Sequence, residues 1–208
     1  MVKIIACVRW RLGLKVLKSL KLSHEIICVV SDTNEIKDYC VKNDIPFVYS
    51  NKQKWEYSFD VNHDLIVSCM FNKILSEELL KKPKFGGINI HQSLLPLYRG
   101  KSPVIAAVNN LEEYIGFTIH YMDSGVDTGN IIFQNKWPID YELTLEDLMN
   151  QFIGLIPVGL QFAIKQVENN VKGIIQIDNQ STYCQELNRN IDWYTPLKDL
   201  VNTKEEYI

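Results

Sequence analysis

Lys3-Ile4-Ile5-Ala6-Cys7-Val8, then Leu12–Leu22, then Glu25-Ile26-Ile27-Cys28-Val29-Val30-Ser31: this opening stretch decides the fold. Its first and third pieces are β-branched and apolar runs suited to strands buried on both faces. The middle piece spaces Leu14, Leu17 and Leu20 by three residues and Val16 and Leu20 by four, the stripe of an amphipathic helix. Strand, helix and strand at this spacing make a parallel crossover unit, which chain chirality renders right-handed. The alternation continues. Asn34–Asn43 reads as a second helix starting near Asp32 and Thr33, Pro46–Tyr49 as a third strand and Asp64–Cys69 as a fourth. Ser76–Lys82 is a short helix stopped by Pro83, and Gly87–His91 a fifth strand. The expectation is an α/β fold with a mostly parallel twisted sheet, whose site lies beyond the carboxyl ends of its strands.

The second half changes character. Gly116–Tyr121 and Asn130–Trp137 read as an antiparallel strand pair joined by the loop Met122–Gly129. Thr144 with Asp147 predicts a capping box at the head of a long helix running towards Asn169. Gly154 and Pro157 predict a kink or break inside it. Lys172–Ile177 reads as one more strand, and from Gln180 the chain is polar, dotted with aromatics and irregular. A single catalytic domain over 1–178 and a short C-terminal arm over 179–208 follow from this division.

Composition narrows the function. Hydrophobic residues at 46% and charged residues at 23% exclude disordered, collagenous and coiled-coil classes. Lys plus Arg at 22 against Asp plus Glu at 25 leaves a net charge of −3, without the basic excess of a phosphate-backbone binder, so no nucleic acid is expected as partner. No membrane is expected either: Ile26–Val30 is too short to span a bilayer, and the residues before Arg9 and Arg11 lack the apolar stretch of a signal peptide. Five scattered cysteines, an odd number, point to a reduced, cytoplasmic protein. Neither a G-x-G-x-x-G nor a G-x-x-x-x-G-K phosphate loop occurs, and no G-x-S-x-G elbow, C-x-x-C or H-E-x-x-H. With the four histidines far apart in sequence, no metal site is expected.

What remains is one dense segment, Asn89-Ile90-His91-Gln92-Ser93-Leu94-Leu95-Pro96-Leu97-Tyr98-Arg99-Gly100, and one loop, Met122-Asp123-Ser124-Gly125-Val126-Asp127-Thr128-Gly129. Period-2 alternation puts Asn89 and His91 on one face of the strand end. An amide donor and an imidazole side by side can both face one developing oxyanion, and a loop carboxylate can orient the imidazole. Taken singly, the same residues also fit a strand-end Asn, a structural His and a turn-forming Asp. His120 reads as a packed or surface histidine, and Ser93 as a support for the backbone or the aspartate.

The segment resembles the 10-formyltetrahydrofolate-dependent formyltransferases, whose signature N-x-H-x-S-L-L-P is followed 36 residues after the histidine by the aspartate of a D-x-G stretch; Asp127-Thr128-Gly129 stands at that distance from His91. The likeness runs from the first strand to about Gln134 and takes in Phe71-Asn72-Lys73-Ile74-Leu75. It implies a Rossmann-like formyltransferase fold, a cis Leu95–Pro96 bond, and Asn89, His91 and Asp127 as the catalytic residues. In the implied mechanism an amine attacks the formyl carbon, Asn89 and a protonated His91 donate to the formyl oxygen, and Asp127 favours the charged imidazole. 10-Formyltetrahydrofolate is the implied cosubstrate, flanked by Phe71, Lys73, Ile74, Leu75 and Val126.

Three branches of the family differ in acceptor. Glycinamide ribonucleotide transformylases carry a glycine-rich phosphate loop after the first strand, where this chain has Arg9-Trp10-Arg11. Methionyl-tRNA formyltransferases share S-L-L-P-x-x-R-G-x-x-P, matched by Ser93–Pro103, but add an RNA-binding domain, for which the residues after Trp193 are too few. Nucleotide-sugar N-formyltransferases resemble Ser93–Pro103, Gly116–Gly129 and the tail around Tyr183 and Ile191-Asp192-Trp193. The expected acceptor is therefore a dTDP-linked 4,6-dideoxy amino sugar of the dTDP-4-amino-4,6-dideoxyglucose type, such as serves O-antigen or lipopolysaccharide synthesis. Its diphosphate is expected at Arg9, Arg11 or Arg99 and its base at Trp10, Tyr183 or Trp193. A formyltetrahydrofolate hydrolase, with the same three residues and water as acceptor, is the rival activity; monomer and homodimer both remain open.

Overall fold

The computed structural model describes residues 1–52, 55–185 and 191–202. Strand β1 (Lys3–Val8), helix α1 (Trp10–Lys21), β2 (Glu25–Ser31), α2 (Asn34–Lys42) and β3 (Phe47–Tyr49) form the first crossovers. Then come β4 (Leu65–Cys69), α3 (Glu77–Lys81), β5 (Gly87–His91), the short β6 (Arg99–Gly100) and α4 (Pro103–Asn109). The chain continues through β7 (Tyr114–Tyr121), β8 (Ile131–Pro138), α5 (Leu145–Glu168), β9 (Tyr183–Cys184) and α6 (Leu197–Asn202). One sheet runs in the order β3-β2-β1-β4-β5-β7-β8. Its first five strands are parallel, and β7 lies antiparallel between β5 and β8. The expected α/β sheet with its antiparallel pair is thus what forms. The order reverses between β1 and β4, so the crevice for a ligand opens beyond the ends of β1, β4 and β5.

Both faces of the sheet are covered, which is why its central strands read as unbroken apolar runs. Ile4, Ala6 and Val8 of β1 pack with Leu14, Leu17 and Leu20 of α1 and Phe152, Ile156 and Leu160 of α5. On the other face Ile5, Cys7, Val30 and Ile66 pack with Phe59, Leu75 and Leu79. Each such aliphatic or aromatic side chain contributes roughly 1.5–3 kcal/mol on burial. Helix α5 opens on the expected capping box: Asp147 N–H donates to Thr144 Oγ1 at 3.1 Å and Thr144 N–H to Asp147 Oδ2 at 3.1 Å. By length and composition α5 could cross a membrane; here it lies on α1, β7 and β8 with its inner face in the core.

Three expectations are corrected. Helix α5 runs unbroken through Gly154 and Pro157. A proline inside a helix costs about 3 kcal/mol, and the buried Phe152, Ile156 and Leu160 on both sides of it hold the helix together. Residues 172–177 form no strand, only a single bridge between Ile174 and Ile131, because Gly173 takes a left-handed φ of 71° and turns the chain. The arm is also less irregular than expected. It makes a 3-10 turn at Asp178–Gln180, pairs β9 with β6 in parallel, and docks α6 through Leu197 into the core. Its residues 186–190 and 203–208 lie outside the described residues. The Leu95–Pro96 bond is cis, as the resemblance implies.

Candidate active site

The site is assembled by register. In the antiparallel pairing of β5 with β7, Asn89 stands opposite His120 and His91 opposite Thr118. Alternation along each strand therefore sets Asn89, His91 and His120 on one face. Asp127 comes to them from the loop between β7 and β8, in a left-handed conformation with φ 56°. Its Oδ1 accepts from Asn89 Nδ2 at 3.1 Å and lies 3.4 Å from His120 Nε2. Its Oδ2 accepts from Gly100 N–H at 2.9 Å and lies 3.5 Å from His91 Nδ1. The loop closes tightly behind the aspartate: a Cβ on Gly129 would sit 1.9 Å from the Tyr121 carbonyl oxygen, so no side chain fits there.

Charge in this corner is set by burial against pairing. Burial pushes the His91 imidazole below its ordinary value of 6.5, and it outweighs the opposite pull of Asp127 and of the Tyr98 carbonyl, while His120 adds to the lowering. The lowering favours the neutral form of His91 in the resting site, while Asp127 pulls the other way, towards the charged form. The His91 Nε2–H donates to the Tyr98 carbonyl at 2.7 Å, which fixes the tautomer and turns Nδ1 towards Asp127. Burial raises the Asp127 carboxyl, but His91, His120 and the Gly100 N–H together hold it below the usual carboxylate range, and it is an anion. His120 Nδ1 donates to the Tyr121 carbonyl at 2.7 Å, and its Nε2 lies 3.3 Å from Asn89 Nδ2 and 3.4 Å from Asp127 Oδ1. A buried carboxylate, a neutral imidazole and an amide N–H donor on one face suit proton transfer beside a developing oxyanion.

The remaining candidates fall in separate places. Leu75 and the partly buried Phe71 share one apolar cluster with Met122, which brings segment 71–75 against the start of loop 122–127. Val126 stays 48% exposed, and Ile74 and Lys73 point to solvent. Arg9 closes on Asp32 at 2.6 Å and stacks over the half-exposed Trp10, its guanidinium 4.4 Å from the ring centroid. Arg11 pairs with Glu146 at 2.6 Å, and the Glu146 N–H donates to the Trp193 carbonyl, so both Arg11 and Trp193 are tied to the start of α5 through Glu146. Arg99 departs from its expected place on a diphosphate. It is 1% exposed, and its guanidinium is spent on Gln176, on Asp178 and on the hydroxyl of the exposed Tyr183. Ser93 Oγ donates to the Leu97 carbonyl at 2.6 Å, so it holds the turn and not the aspartate. Among the described residues no group of three or more His, Cys, Asp or Glu side chains could hold a metal ion.

The family model for formyl transferases matches residues 11–155. The chain belongs to the formyl transferase family. It is 34% identical over 199 residues to the methionyl-tRNA formyltransferase of Staphylococcus epidermidis, covering 86% of this chain and 64% of that protein. The methionyl-tRNA formyltransferase of Clostridioides difficile is 31% identical, covering 80% of this chain and 57% of that one. The chain thus spans a little under two thirds of the curated relatives it matches. Among solved structures it is similar to WlaRD, a sugar 3N-formyltransferase determined with dTDP and 5-N-formyl-THF, with a TM-score of 0.73 and 25% identity over 88% of this chain and 69% of that one.

Two residues of this corner escape a reading of the sequence alone. His120, expected as a packed or surface residue, is buried against Asp127 and Asn89. Thr118 accepts from Leu95 N–H at 3.1 Å and from Gln134 Nε2 at 2.8 Å, bracing the turn after His91. A signal existed: Thr118 and His120 are two polar residues at i and i+2 in an otherwise apolar strand, hence on one face. Which face that is depends on pairing with β5, a contact about thirty residues away that alternation cannot supply.

Proposed function

We propose that the chain transfers a formyl group from 10-formyltetrahydrofolate to the primary amine of a nucleotide-linked dideoxy amino sugar, of the dTDP-linked 4,6-dideoxy type. The observation that carries the reading is the convergence of Asn89, His91 and Asp127, with Asp127 within 3.5 Å of both partners. The amine attacks the formyl carbon, and negative charge develops on the formyl oxygen. Asn89 supplies an N–H to that oxygen, a contribution typically worth ~3 kcal/mol in the transition state. Neutral His91 beside anionic Asp127 is suited to accept the proton the amine sheds and to return it to the departing folate nitrogen.

The residues fit a flat heterocycle with a charged tail. Phe71 and Met122, partly exposed and backed by the buried Leu75, offer an apolar surface, the backbone of loop 122–127 offers polar edges, and Lys73 is exposed for carboxylates. Support for the sugar acceptor comes from the likeness to WlaRD, from the net charge of −3, and from Arg9, Trp10, Arg11 and Trp193 around the ends of β1 and α5. A second reading, methionyl-tRNA as acceptor, is favoured by the 34% identity to the Staphylococcus epidermidis enzyme. The test is a panel of amines with 10-formyltetrahydrofolate, following tetrahydrofolate release. The proposal expects the nucleotide-linked amino sugar to lead by kcat/KM over glycinamide ribonucleotide and methionyl-tRNA; the opposite order replaces the first reading by the second.

A further inference from the structure

Gln176 stands outside the catalytic signature, on the irregular segment after α5, yet its side chain is 7% exposed and fully engaged. Nε2 donates to the Asp127 carbonyl at 2.9 Å and to the Gly129 carbonyl at 2.7 Å. Oε1 accepts from Arg99 Nε at 3.1 Å and from Arg99 Nη2 at 2.9 Å. Two N–H donors and two lone pairs are all that a glutamine amide has, and all four are used. We infer that Gln176 is a positioning residue for the reaction, clamping the backbone of the Asp127-Thr128-Gly129 turn and joining it to the β6–β9 ladder; this rests on the formyl-transfer reading.

The case is built on what the clamp joins. Asp127 sits at φ 56°, a conformation a residue with a side chain keeps only where its surroundings enforce it. The Asp127 carbonyl and the Gly129 carbonyl two residues on are both held by the one Gln176 amide, so the turn leaving Asp127 is pinned at its start and its end. Gln176 is held in turn by Arg99, whose buried guanidinium also donates to Asp178 Oδ1 at 3.0 Å and to the Tyr183 hydroxyl at 3.1 Å. Arg99 belongs to β6, and its neighbour Gly100 gives its N–H to Asp127 Oδ2. β6 is itself held by the arm: Arg99 N–H donates to the Thr182 carbonyl at 2.9 Å and Lys101 N–H to the Cys184 carbonyl at 3.1 Å. The catalytic aspartate is thus fixed twice by one network. Gln176 holds its backbone, and Gly100, tied to Gln176 through Arg99, holds its carboxylate. Residues 176–184 therefore complete the catalytic corner without facing the reacting atoms.

Two variants and two readouts test this. Gln176→Glu keeps acceptor oxygens for Arg99 and loses the donors to both carbonyls; Gln176→Met keeps the length and loses all four bonds. The Gly100 amide reports the position of the Asp127 carboxylate without any turnover. In both variants it is expected to exchange its hydrogen at least ~10-fold faster, while amides of β1 and β4 keep their protection. With the acceptor that the parent uses best, kcat is expected to fall ~10²-fold, the scale of a displaced catalytic group, with KM for both substrates within about twofold. Unchanged Gly100 protection in a folded variant overturns the inference, as does an unchanged kcat. Failure of both variants to fold also overturns it, by making Gln176 a structural prop. Should the parent transfer no formyl group to any amine, the functional reading fails while Gly100 exchange still decides the placement of Gln176.

Discussion

The corner where β5 meets β7 and the rim around residues 9–11 and the start of α5 are built on opposite principles. In the corner Asn89, His91, His120 and Asp127 are largely buried and bonded to one another or to fixed carbonyls. At the rim Arg11 is more than half exposed and paired with Glu146 at the surface, and Trp10 is 51% exposed. A surface pair of this kind is worth ~0–1 kcal/mol and yields readily to a phosphate. A chemistry shared across a family requires fixed geometry, whereas a choice of acceptor requires groups that water or ligand can reach. The difference explains why the corner reads clearly as a reaction and the rim only as a preference.

The largest effects should come from the corner. Asp127→Ala removes the anion that holds Asn89 and faces both imidazoles, and it is expected to lower kcat about 10²–10³-fold with folding retained; a variant within tenfold of the parent at saturation breaks the contrast. His120→Ala should cost about tenfold in kcat, the value of one hydrogen bond of about 1.4 kcal/mol steering the Asn89 amide. Steady-state kinetics at saturating substrates check both.

Acidity gives an intermediate effect with a definite sign. Burial puts the folded-state value of His91 below its ordinary 6.5, so the unfolded chain takes up the proton first. Stability linked to His91 is complete above about pH 6.5 and is lost as pH falls from there through the folded value. Asp127 acts lower: its contribution is complete above the ordinary carboxylate value of 3.8 and disappears as pH falls through its own depressed value. Between about pH 6.5 and 4 the loss at this pair belongs to His91, and the His91→Asn variant should show a shallower melting-temperature slope in that window. An equal slope would place the titration elsewhere.

Smaller effects sharpen the other side. Thr144→Ala deletes the α5 cap and should lower the melting temperature by about 2–4 °C, leaving kcat unchanged because the cap lies outside the corner. Arg11→Ala should change stability by less than ~0.5 kcal/mol. It should instead raise KM for the nucleotide sugar several-fold with kcat intact; an unchanged KM would remove Arg11 from the acceptor site.

Legibility in the sequence followed the range of the interactions. Strands β1 to β5 and the Thr144–Asp147 box rest on contacts within a few residues, and the chain spells them out. Asn89 and His91 were legible as a pair because alternation along one strand puts them on one face. His120 was not, since its meaning depends on register across β5 and β7. The break expected at Pro157 does not occur, because the local rule against proline in a helix is overridden by the core packing of Phe152, Ile156 and Leu160. Arg99 misled in the other direction: it was expected on the acceptor diphosphate, yet Gln176 and the arm enclose it.

The most direct test follows the carbon. 10-Formyltetrahydrofolate labelled in its formyl group is mixed with the parent protein, or with His91→Ala, and a dTDP-linked amino sugar, and the label is located. The account predicts label in a new amide on the sugar with the parent, and a rate at least about 10²-fold lower with His91→Ala. Label recovered as free formate, with the sugar amine untouched, would contradict it and make the protein a hydrolase.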